Sequence, residues 1–67
     1  MILMSNDERN IKIAQLLSNG ATRKEIAYFF DMSVRNVEVI LDKLRNQHEA
    51  IHIAHLTAIL IRKKLIA

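Results

Sequence analysis

Three helix-starting signals at Ser5, Thr22 and Ser33 leave this chain little choice of fold. "SNDE" (Ser5 to Glu8) and "TRKE" (Thr22 to Glu25) are capping boxes, in which a hydroxyl and the glutamate three positions later satisfy amides that a first helical turn leaves open. Asp7 and Glu8 also suit the positive end of a helix dipole. The first helix is therefore expected from about Asn6, with Ile11, Ile13, Ala14, Leu16 and Leu17 on its apolar side and "SNG" ending it at Gly20. Behind the second box comes a short helix with the apolar run Ile26, Ala27, Phe29 and Phe30. "DMS" turns the chain, Ser33 caps a third helix, and Val34, Val37, Ile40, Leu41 and Leu44 recur at three- and four-residue spacing to form its buried stripe. No stretch alternates as a strand would, there is no Pro, and Gly20 is the single glycine. The reading is all-α.

The last segment carries two apolar stripes. Ile53, Leu56 and Leu60 make one; Ile51, Ala54, Ala58, Ile61 and Leu65 make the other. A chain of 67 residues forms one small domain, which buries only about 60% of its unfolded surface and has one core to offer. The second stripe is then expected to meet a partner chain, and a symmetric homodimer through a helix spanning about residues 50–65 is the simplest such arrangement. His55 and Arg62 border that stripe. The absence of cysteine removes disulfides and thiolate metal sites, so the cytoplasm is the expected compartment. "MILM" is too short and uncharged for a signal peptide, and "IHIAHLTAILIRKKLIA" is interrupted by His and basic residues before the ~20 apolar residues of a membrane span, so no membrane is expected. A formal charge of +3 and a pI near 9.7 lean mildly toward a polyanionic partner.

Helices two and three, about residues 22–45, fit a helix-turn-helix, in which one helix braces another so that its outer face enters a DNA major groove. Counting from Arg23 places the small Ala27 where the two axes pass closest and puts Ile26, Phe30, Met32, Val37 and Ile40 at the inner positions. All are apolar. An ordinary helical hairpin would need the caps, the small residue and the inner set to agree by accident.

With "DERN", Gly20, "TRKEIA", Ser33, Val37 and the closing "RKKLI" in this order, the chain from Asp7 onward resembles the LuxR/GerE-type DNA-binding domain in a stand-alone form. "SNGATRKEIAYFFDMS" is the most specific part. The resemblance implies a four-helix helix-turn-helix domain acting in transcription, whose third helix reads the groove of double-stranded DNA and whose fourth packs two copies together. It departs from the family in three places. Asn36 stands where members usually carry Thr, acids Glu38 and Asp42 stand near positions usually held by Lys or another polar donor, and "RNQHEAI" lacks the glycine that normally separates helices three and four. The last two helices can therefore be separate or continuous.

The expected DNA surface follows. Thr22, Arg23 and Lys24 at the start of helix two, with Arg35 and Lys43, are the phosphate contacts; Arg35 and Asn36 are the base readers, with Ser33 and Val39 on the same surface. Two readings stand for the acids. Glu38 and Asp42 can accept from a cytosine amino group, or Glu38 can pair with Arg35 and Asp42 with Arg45 on a solvated face. Arg62, Lys63 and Lys64 can touch phosphate, or simply suit the negative end of the last helix. His48, His52 and His55 would line one side of a helix, but no cysteine or carboxylate beyond Glu49 completes a metal set, and a dimer interface or a half-exposed surface is the expected setting for them. No phosphate loop, paired carboxylates or activated nucleophile is present, so neither catalysis nor a cofactor is expected. Two functions remain: a DNA-binding regulator acting as a homodimer, and a protein-interaction module that pairs with a larger transcription regulator, for example as an inhibitor.

Overall fold

The computed structural model describes residues 5–67; the opening "MILM" lies outside them. Four helices follow in order, α1 (Asn6–Ser18), α2 (Arg23–Phe30), α3 (Val34–Gln47) and α4 (Ile53–Arg62), with no strand among the described residues. Both capping boxes form: Ser5 Oγ accepts from Glu8 N–H, and Thr22 Oγ1 from Glu25 N–H, each at 3.1 Å. Ser33 caps α3 by accepting from Asn36 N–H at 3.0 Å. The cap of α4 is less usual. His52 Nδ1 accepts from His55 N–H at 3.1 Å, and His55 Nδ1 accepts from Ile51 N–H at 3.0 Å.

All four helices stop by one device. The chain turns through a left-handed residue, Gly20 (φ 97°), Asp31 (φ 54°), Glu49 (φ 56°) or Lys64 (φ 61°). The next amide then reaches back five residues, Ala21 to Leu16, Met32 to Ala27, Ala50 to Arg45 and Leu65 to Leu60, at 3.0, 2.9, 2.8 and 2.9 Å. Helices three and four are therefore separate, parted at Glu49, so His48, His52 and His55 do not share one helix.

Packing centres on α3. Val37, Ile40, Leu41 and Leu44 meet Ile13 and Ala14 of α1, Ile26 and Ala27 of α2, and Leu56 and Leu60 of α4, with Ala50 and Ile66 closing the ends. α1, α2 and α4 all pack on α3, whereas α2 and α4 do not pack on each other. Phe30 and Met32 are half-buried against the core as the inner set requires. Phe29 is not: it is 65% exposed, its ring set edge-on to Phe30 at 5.0 Å, and neighbouring Tyr28 is 90% exposed. An eight-residue helix covers only one side, and Ile26, Ala27 and Phe30 take it. At the far end, the Gln15 side-chain amide clasps Ala67, donating to its carbonyl at 3.0 Å and accepting from its N–H at 2.7 Å. No helix among the described residues is long and apolar enough to cross a membrane.

Candidate nucleic-acid interface

The outward side of α3 is set by what its inward side must do. With Val37, Ile40, Leu41 and Leu44 buried, 3.6 residues per turn brings Arg35, Val39 and Lys43 to the opposite side at four-residue spacing. All three are exposed, Val39 by 54%. Asn36 is exposed beside them, and exposed Ser33 spends its hydroxyl oxygen on the cap. Three residues, Asp31 to Ser33, link α2 to α3, so Thr22, Arg23 and Lys24 stand at the opening of the helix that braces this face. All three are exposed.

Thr22 and Glu25 are occupied with each other. Thr22 N–H donates to Glu25 Oε1 at 2.8 Å while its hydroxyl caps the helix, and the Thr22 N–H first, with the Thr22 side chain second, lowers the carboxyl's pKa. A fixed negative charge thus sits at the α2 N-terminus, which leaves attraction for an anion there to Arg23 and Lys24.

Of the two acids of α3, Asp42, its side chain 69% exposed, stands on the outward side close to Arg35 and Val39, whereas Glu38 lies on a flank. Glu38 and Asp42 line a groove of about 310 Å³ that Arg23 closes on one side, with Leu41 and Ile53 as its apolar floor. Of the two pairings considered from sequence, one forms. Arg45 Nη2 lies 3.5 Å from Asp42 Oδ1, and Arg45 Nη1 also donates to the Ala50 carbonyl at 3.4 Å. Glu38 and Arg35 make no ion pair. Between Thr22 and Gln47 five basic side chains face four acidic ones, so this half of the molecule carries a single net positive charge.

The chain matches no family model, no curated protein and no solved structure. What it can do must be read from its own surfaces, of which α4 offers the second. Ala54, Ala58 and Ile61 run along its exposed side, opposite Leu56 and Leu60, and Arg62 is exposed beside them with half-buried His55. The expected stripe does not continue unbroken. Ile51, 78% exposed, precedes the helix, and Leu65 follows it, lining a separate apolar groove with Ile11 and Lys12 of α1. The basic trio is also divided: Arg62 ends α4, Lys63 caps it with Nζ 3.1 Å from His48 Nδ1, and Lys64 is the left-handed corner. Lys63 and His48 stand at the end of α3 remote from Ser33, a helix length of roughly 20 Å away. Among the described residues no three His, Cys, Asp or Glu side chains gather as a metal site. Sequence reasoning missed exposed Tyr28 and buried Asn10, the one a residue inside an apolar run and the other a polar residue at a core position.

Proposed function

We propose that this chain is a small DNA-binding transcription regulator of the LuxR/GerE type, cytoplasmic and acting as a homodimer. The observation that carries this reading is the exposed line Arg35, Val39, Lys43 on a capped helix, braced across a three-residue turn by a second helix that presents Arg23 and Lys24. In this reading α2 and α3 form a helix-turn-helix. Arg23, Lys24, Arg35 and Lys43 meet phosphates, Asn36 and Arg35 reach base edges, and Val39 offers an apolar contact suited to a thymine methyl. Glu38 on the flank and Asp42 on the outward side restrain general affinity and penalise wrong bases. Ala54, Ala58 and Ile61 of α4, flanked by Ile51, His55, Arg62 and Leu65, pair two copies.

The near-neutral charge of residues 22–47 and the exposed apolar row of α4 together favour a second reading, an interaction module that pairs with a larger regulator and leaves DNA alone. Binding to a selected site and to a scrambled duplex at two salt concentrations separates them. For the DNA reading, Arg35→Ala and Lys43→Ala weaken both duplexes alike and each reduce the salt slope by about one. Glu38→Ala tightens the scrambled duplex and narrows the preference. If the parent binds neither duplex at low salt, the interaction module stands.

A further inference from the structure

We propose that the cleft where the start of α1, the end of α3 and the end of α4 meet binds a free aliphatic α-amino acid. The inference is independent of DNA binding and rests on Asn10. This is the one buried polar side chain among the described residues, 8% exposed at a position where α1 faces the core. Arg9 donates to its Oδ1 from Nε and Nη2 at 3.3 and 3.2 Å. A guanidinium has no acceptor, so the contact fixes which amide atom is oxygen and leaves Nδ2 as the free donor. Among the described residues no group accepts from Nδ2 and no fully enclosed side-chain nitrogen or oxygen lacks a partner, which leaves Nδ2 available to the cleft that Asn10 lines. A buried amide is costly to leave unmatched, and a ligand oxygen would match it.

The rest of the cleft defines that ligand. Its volume is about 370 Å³, inside the ~300–1,000 Å³ span of small-molecule sites. Lys63 lies on its wall with Nζ held 3.1 Å from His48 Nδ1. An ammonium can only donate, so the His48 nitrogen accepts in this contact and holds the Lys63 ammonium at the wall. Asp7 supplies the only carboxylate of the lining, and Ile11 and Leu44 supply an apolar floor. The last carbonyls of α3 end here too and favour a cation. A simple anion placed here would face Asp7, and a simple amine would face Lys63. A molecule with both groups on neighbouring atoms satisfies both, its carboxylate toward Lys63 and Asn10 Nδ2, its ammonium toward Asp7, and its aliphatic side chain on Ile11 and Leu44.

The test is a titration of the full chain followed by amide and side-chain NMR shifts, with leucine, glycine, acetate and methylammonium as probes. Saturable leucine binding is expected, moving the signals of Asp7, the Asn10 side-chain amide, His48 and Lys63. Glycine should be weaker, and acetate and methylammonium each about ten-fold weaker or worse, the loss expected when one charge-assisted contact is missing. Asp7→Asn and Lys63→Gln, both at exposed positions, should each weaken leucine by a similar factor while leaving the melting curve that of a folded chain. Asn10→Asp adds a second carboxylate and should abolish binding. Overturning results are absence of saturable leucine binding, acetate binding as well as leucine, or parent-like affinity in folded Asp7→Asn and Lys63→Gln.

Discussion

Asp31, Glu49 and Lys64 do the conformational work of glycines without being glycines. A left-handed backbone brings Cβ close to the carbonyl oxygen and costs roughly 1–2 kcal/mol, less for Asp than for Glu or Lys. Replacing Glu49 or Lys64 with Gly should therefore raise stability by about 0.5–1 kcal/mol after the extra freedom of the unfolded chain is counted, and Asp31→Gly by less. Thermal melts should order the variants that way. The same residues explain what was legible. Gly20 announced the end of α1, whereas the break between α3 and α4 was hidden because Glu49 gives no sign of a left-handed turn and His52 is an unusual cap. Pairing of Asp42 with Arg45 and not Glu38 with Arg35 was equally hidden, since both pairs have the same three-residue spacing. Glu25 supplies a pH dependence of known sign. Its pKa is lowered by the bonds to Thr22, so the stability it contributes is full above its ordinary value of 4.5 and is lost as the pH falls through the lowered one. Denaturant curves of the parent and Glu25→Ala should differ at neutral pH and converge in strong acid.

At the scale of elements, the question is why so short a helix as α2 forms at all. Eight residues are too few to be stable alone, so α2 depends on its capping box and on burying Ile26 and Ala27 against α3. Its small residue sets how closely the axes approach. Ala27→Leu should overpack that contact and cost about 1–3 kcal/mol in a denaturant titration, whereas Tyr28→Ala, at an exposed position, should lie within about 0.5 kcal/mol of the parent. The existence, order and inner faces of the helices were readable because caps and three- and four-residue spacing are local. The cleft around Asn10 was not, since its walls come from residues 7, 10, 48 and 63 and no spacing joins them.

For the whole molecule, α3 is the element every other helix packs on, and its exposed Arg35, Val39 and Lys43 are distinct from the exposed row of α4. One face of α3 can therefore be engaged while α4 remains open to a second copy. If the row Ala54, Ala58 and Ile61 joins two chains, the melting temperature should rise with protein concentration, because association draws on folded chains alone. Ala58→Glu should give a melting temperature that does not move with concentration and a monomer's sedimentation. A concentration-independent parent would place the partner of α4 elsewhere. The Gln15 clasp on Ala67 has a consequence of another kind. It joins residues 52 apart in sequence, so opening of the C-terminal end of α1 and undocking of the stretch after α4 are coupled. Amide protons in those two segments should exchange with solvent through one shared opening, and Gln15→Ala should split it into two independent ones.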